Sequence, residues 1–290
     1  MAPSLITRRK FLGLTVGSGA IVVLGVDSVL LEPNRPRIVR RDVALRRWPE
    51  RLEGFTIALL SDFHYDPVFS VHPLKTAIGM VNDLKPDLIA LTGDFVSLPP
   101  FYSNDEKAAA ASEPCAQLLK QMHAPHGLWA VLGNHDYFSD PRRVTDALSG
   151  VDIQVLSNRS TPIESNGGRF WLTGVNDVLG GEADLDATLH EIPNNEATVL
   201  LVHEPDYADH VARFAVDLQL SGHSHGGQVR IPFVHPFYLP ELGRKYVAGF
   251  YQIGPLSLYT NAGLGTVALP VRFNCPPEIT LLTIRRSPGT

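Results

Sequence analysis

The segment Phe55-Thr56-Ile57-Ala58-Leu59-Leu60-Ser61-Asp62-Phe63-His64 passes from an apolar, β-branched run into ligand-type side chains within four positions. A short apolar run closed by polar residues reads as a buried strand. The same device recurs. Asp87 to Leu91 ends at Thr92-Gly93-Asp94, and Leu128 to Leu132 ends at Gly133-Asn134-His135-Asp136. Thr198 to Val202 ends at His203-Glu204, and Val216 to Leu220 ends at Ser221-Gly222-His223-Ser224-His225. Helical patterns lie between the runs, over Pro73 to Leu84, Pro114 to Met122, Pro141 to Leu148, Leu185 to Leu189 and Pro205 to Phe214. Four of them open on a proline, which a first helical turn tolerates. Alternating strands and helices predict an α/β layered fold whose site forms beyond the carboxyl ends of the strands. Further strands over Phe170 to Val175, Gln228 to Ile231, Val247 to Ile253, Leu256 to Thr260 and Glu278 to Ile284 predict a second sheet packed on the first.

The residue types at the strand ends suit a pair of hard cations, which take oxygen and imidazole ligands and sit about 3.5 to 4 Å apart when a carboxylate bridges them. Asp62 and His64 are expected to share one face of an extended strand end, and His223 and His225 to repeat the arrangement. Gly93 lets the chain turn sharply before Asp94; Asn134 and His135 follow another glycine, and His203 adds a further imidazole. Singly, each has a structural reading: a turn cap for Asp62, a turn residue for Asn134, a packed histidine for His203. Crowding them together without a cation would carry a large desolvation and repulsion cost, so jointly they read as metal ligands. His72, His123, His126, His190, His210 and His235 lack this setting and read as surface or packing residues.

The ordered set D-x-H, G-D, G-N-H-D, H, G-H-x-H resembles the calcineurin-like metallophosphoesterase superfamily across residues 62–225. Gly226-Gly227-Gln228, Gly263-Leu264-Gly265 and Pro276-Pro277-Glu278 resemble its bacterial exported or membrane-bound branch. The resemblance implies an α-β-β-α sandwich of two mixed sheets. It implies one metal on Asp62, His64, Asp94 and His225, and a second on Asp94, Asn134, His203 and His223. The ions would be divalent or of mixed valence, drawn from manganese, iron, zinc or cobalt, with a bridging hydroxide attacking phosphorus. His135 would stabilise developing charge or protonate the leaving group, with Asp136 as its orienting partner. The implied activity is hydrolysis of phosphate esters or anhydrides, and within that branch of phosphodiesters on cell-envelope or lipid-linked substrates. Alternatives are a UDP-2,3-diacylglucosamine pyrophosphohydrolase of lipid A synthesis, a non-catalytic scaffold of the same fold, and a metal-storage or sensing module.

The N-terminus has another character. Thr7-Arg8-Arg9-Lys10-Phe11-Leu12 forms a twin-arginine pattern ahead of an apolar run from Phe11 to Val26. This predicts an export signal read by the twin-arginine machinery, with the domain periplasmic or otherwise extracytoplasmic. No A-x-A site follows, so residues 11–31 are either cleaved or retained as a short anchor. Residues 32–50, where Glu32 to Pro49 hold three prolines and six arginines, read as a basic linker or edge segment near the membrane. The phosphoesterase domain is then 51–286. A net charge of -5 with no basic block after residue 50 argues against nucleic acid as a partner. Cys115 and Cys275 are too few for a disulfide framework; buried free thiols or a single pair in an oxidising compartment are the two readings. The loop from Ile231 to Leu239 carries several apolar residues between prolines, and reads equally as a membrane-facing or acyl-chain surface and as a loop packed on the second sheet.

Overall fold

A computed structural model describes residues 24–98 and 105–287. The twin-arginine pattern lies outside the described residues. The strands are β1 (Arg37–Leu45), β2 (Thr56–Leu60), β3 (Leu88–Thr92), β4 (Leu128–Val131), β5 (Ile153–Val155), β6 (Arg159–Ser165), β7 (Gly168–Gly174), β8 (Thr198–Leu201), β9 (Leu218–Ser221), β10 (Gly249–Ile253), β11 (Leu256–Thr260) and β12 (Glu278–Arg286). They form two six-stranded sheets, in the orders β1-β12-β2-β3-β4-β5 and β10-β11-β9-β8-β7-β6. Both are mixed: β2, β3, β4 and β5 run parallel, β12 runs antiparallel to β2, and β6 and β10 are antiparallel edges of the second sheet.

Side-chain alternation sorts the apolar residues into layers. Ile57, Leu59, Leu88 and Ala90 meet Leu172, Val199, Leu201, Leu218 and Leu220 of the facing sheet. Their neighbours Ala58, Leu60, Ile89 and Leu91 point to the other face, under Leu74, Ile78, Val81, Cys115, Leu119, Val144 and Leu148 from helices Val71–Leu84, Ser112–Leu119 and Pro141–Ser149. On the far side, Leu200, Leu256 and Leu258 pack against Leu185, Ala208 and Val211 of two short helices. The result is the expected α-β-β-α sandwich.

Four elements depart from the expectation or sharpen it. Residues 37–45 lie within the segment read as linker or edge; they form the outermost strand of the first sheet, in parallel register with β12 from Arg37–Glu278 to Leu45–Arg286. One-sided burial on an edge strand explains this: only Val43 and Leu45 are buried, while the arginines face out. Gln228 to Ile231 is not a strand, because Gly226, Gly227 and Gln228 hold positive φ and leave only a single bridge from Val229 to Phe273. Strands β5 and β6 carry too weak an apolar pattern to be foreseen. Cys115 and Cys275 are both buried and unpaired. Among the described residues no helix is long and apolar enough to cross a membrane.

Candidate metal centre

The clusters at the ends of β2, β3, β4, β8 and β9 converge. Asp62, His64, Asp94 and His225 each present one ligand atom within 4.8 Å of the others, and so do Asp94, His203 and His223. All six are buried. Asp94 belongs to both groups: its Oδ2 lies 3.4 Å from His64 Nε2 and 3.2 Å from His203 Nε2. His64 Nε2 and His225 Nε2 face each other at 2.9 Å, and His225 Nε2 is 3.4 Å from Asp62 Oδ1.

The strand-alternation account of Asp62 with His64, and of His223 with His225, does not hold. β2 stops at Leu60 and β9 at Ser221. Beyond those ends Asp62, His64, Asp94, His223 and His225 all adopt left-handed backbone, with φ of 52, 39, 55, 70 and 52°. This is costly for non-glycine residues and persists only where the surroundings enforce it. Here the enforcement is visible. Asp62 N donates to Gly93 O, His64 N to Asp94 O, Leu264 N to Ser61 O and Gly265 N to Asp62 O. The His223 amide donates to both carboxylate oxygens of Asp62, at 2.9 and 3.1 Å. The glycines make room. A Cβ on Gly93, whose φ is +91°, would lie 2.5 Å from Gly133 N, and one on Gly133 would lie 2.8 Å from His203 Cε1.

Backbone groups also fix the imidazoles. His203 Nδ1 donates to Thr92 O at 2.6 Å, and His223 Nε2 to Glu241 O at 2.7 Å. Each ring therefore turns its other nitrogen to the centre. Burial drives His64 and His223 down to about 3, and takes His225 lower than its ordinary value as well. All three are neutral donors. Burial pushes the Asp62 carboxyl up to about 7. Burial also opposes ionisation of Asp94 and His203, but their mutual attraction outweighs it, holding the carboxyl well below and the imidazole well above their usual values.

These residues fit divalent cations on two grounds. Asn134 Oδ1 is buried with no hydrogen-bond partner, a state that is costly unless something else binds it. The donor set of carboxylate oxygen, amide oxygen and imidazole nitrogen also suits first-row divalent ions. Asn134 lines the same cavity as Asp94 and His223.

His135 lines the cavity beside the ligand groups, its ring 4.6 Å from that of His64 and nearly perpendicular to it. The Leu98 amide donates to its Nδ1 at 3.0 Å. That leaves the ring proton on Nε2. Asp136 is not the orienting partner that the sequence suggested. Its Oδ1 accepts from the amides of Phe95 and Val96, and its Oδ2 from that of Gly133, tying the loop after β3 to the loop after β4. As the third residue of helix Asn134–Ser139 it reaches back to the Gly133 amide that precedes the helix. Glu204 turns from the centre too, accepting from the Val178 and Leu179 amides.

Arg272 carries no motif, yet it is fully buried. Its guanidinium donates to the carbonyls of Ala262, Gly263, Gly265 and Cys275. The loop thus held presses on Asp62: a Cβ on Gly263 would lie 2.8 Å from that of Asp62. A lone arginine near the C-terminus gives no sequence signal of such a role. His72, His123, His190 and His235 are exposed, and His126 and His210 half-buried.

The centre floors a cavity of about 710 Å³. Asp94, Asn134, His135, His223 and His225 form its base, and Leu98, Val229, Phe237, Val267, Leu269 and Val271 much of its wall.

Comparison with known proteins identifies the family. The profile of the calcineurin-like phosphoesterase family matches residues 55–227. The uncharacterized metallophosphoesterase YkuE of Bacillus subtilis (strain 168) is 34% identical over 96% of this chain and 98% of its own. Phosphodiesterase YaeI of Escherichia coli (strain K12) is 30% identical over 97% of this chain and 100% of its own. Among solved structures, Haemophilus influenzae NAD nucleotidase superposes with a TM-score of 0.49 at 14% identity, over 72% of this chain and 45% of that one. The family profile and the two full-length relatives together place the chain in the calcineurin-like phosphoesterase family.

Proposed function

We propose that this metallophosphoesterase hydrolyses phosphodiesters at a centre of two cations, one held by Asp62, His64, Asp94 and His225 and the other by Asp94, Asn134, His203 and His223. The observation that carries the reading is the single Asp94 carboxylate shared by both groups. Such a pair supplies Lewis acidity to phosphoryl oxygens and lowers the pKa of water at neutral pH. Water then adds across a phosphorus–oxygen bond, giving a phosphomonoester and an alcohol. The protein's own part is preorganisation. Thr92 O and Glu241 O aim His203 and His223. The Leu98 amide holds His135 with Nε2–H free, a donor for charge that grows on a phosphoryl or leaving oxygen.

Support for diesters as substrates comes from the full-length similarity to a relative named a phosphodiesterase. Manganese, iron, zinc and cobalt all suit the donors. We assign the first 31 residues to twin-arginine export, so that the catalytic domain works outside the cytoplasm; replacing Arg8 and Arg9 by lysine is expected to block export in a fractionation assay. Hydrolysis of bis-p-nitrophenyl phosphate with added manganese, compared with Asp94→Asn, tests the reaction. Equal turnover by the two proteins contradicts it.

A further inference from the structure

The cavity wall runs out to an unusual rim. Phe237, Tyr238 and Leu269 line the cavity and are also 74%, 72% and 66% exposed. Beyond them stand Ile231, Val234 and a fully exposed Phe233. Of the fifteen exposed large apolar side chains among the described residues, eleven lie in segments 24–31, 231–238 and residue 269. These segments are joined. Val229 bridges Phe273, the Arg272 amide donates to Ser28 O, and Glu32 accepts from the Asn274 and Cys275 amides at 2.9 and 2.5 Å. A patch of this kind marks a contact surface and not an ordinary exterior.

Two features say what covers it. Residue 24 stands on this face, and the sequence that leads into it is the apolar run that starts at Phe11. Arg35, Arg37 and Arg230, all exposed, place positive charge beside the apolar residues, the pairing that anionic headgroups attract. We propose that this face rests on a phospholipid bilayer and that the cavity wall takes an acyl chain of a lipid whose phosphate reaches the Asp94 base. The substrate class is therefore an amphiphile with a phosphodiester or phosphoanhydride next to its chains. This rests on the phosphoesterase reading above and names the substrate of that same site.

The test uses the full chain loaded with manganese. In p-nitrophenyl alkyl phosphodiesters lengthened from ethyl to octyl below their aggregation limit, kcat/KM is expected to rise about three- to fourfold for each methylene that reaches the wall. Vesicles of phosphatidylethanolamine and phosphatidylglycerol should sediment the protein. The double variant Ile231→Ser with Phe233→Ser, at two exposed positions outside the cavity lining, should weaken that sedimentation about tenfold or more while ethyl-ester turnover and Tm stay unchanged. Full ethyl-ester turnover with no chain-length effect and no vesicle binding overturns the lipid assignment and leaves the phosphoesterase reading standing. Vesicle binding by a wild type that cannot hydrolyse the ethyl ester has the opposite meaning: the surface holds and the reaction falls. A vesicle-blind dimer that the double variant splits would make the face an interface between copies, and would overturn the proposal.

Discussion

The base and the rim of one cavity are built in opposite ways. At the base the six aspartate and histidine side chains of the two groups are buried: left-handed residues among them are held by hydrogen bonds, and two imidazoles are aimed by carbonyls. At the rim, Phe233, Phe237, Tyr238 and Leu269 project into solvent from a loop and a turn. A small displacement of a ligand can cost a reaction orders of magnitude. An apolar rim that grips flexible chains needs only area, which is non-directional. Substitutions at the base should therefore be severe and specific, those at the rim mild and selective for substrate.

The largest effect is expected from Asp94→Asn, which removes the carboxylate common to both groups. Turnover of bis-p-nitrophenyl phosphate should fall about 10³-fold or more, about 4 kcal/mol of transition-state stabilisation. His135→Ala follows, with a loss of about 10²- to 10³-fold, the range for one preorganised donor. Its manganese affinity, read by titration calorimetry, should stay near that of the wild type, because the ring is outside both ligand groups. Arg272→Met strikes the support of the base. It leaves the buried carbonyls of Ala262, Gly265 and Cys275 without their donor and should lower unfolding free energy by about 2–4 kcal/mol in urea titrations. At the small end, Val234→Ser, exposed and outside the cavity lining, should change ethyl-ester kcat/KM by no more than about twofold, within the normal range for an exposed substitution. A large loss there would erase the contrast between base and rim.

The base also predicts a pH dependence. Burial raises the Asp62 carboxyl to about 7 in the cation-free protein. A carboxyl raised in this way contributes stability that is present below its unfolded value, near 3.9, and is lost as pH rises through about 7. Cation binding needs the ionised form, so binding releases a proton below pH 7 and strengthens as pH rises. The gain in Tm on adding manganese should accordingly widen between pH 5.5 and 8 in thermal scans. A gain that shrinks over that range would count against Asp62 as a ligand.

How far the sequence revealed this follows from the same contrast. The strand-end clusters were legible because apolar runs stop at ligand-type residues, and the two sheets because β2, β3 and β8 are apolar on both faces and β9 on one. The geometry within each motif was not. Asp62-x-His64 suggested strand alternation, whereas left-handed turns imposed by Gly93, Leu264 and Gly265 bring the side chains together. Asp136 looked like a partner for His135, but the Leu98 amide holds that ring. Backbone donors and acceptors such as Leu98, Thr92 and Glu241 are invisible in sequence, since nearly any residue can supply them. Arg272 and strand β1 escaped for a related reason: their roles depend on long-range pairing, with loop 262–265 for the one and with β12 for the other.

Elemental analysis of the purified, manganese-loaded chain beside its Asp94→Asn variant bears most directly on the shared carboxylate. Two ions per wild-type chain, with loss of tight binding at both positions in the variant, is the predicted result. A single ion per fully active chain, or two ions retained as tightly by the variant, would contradict it.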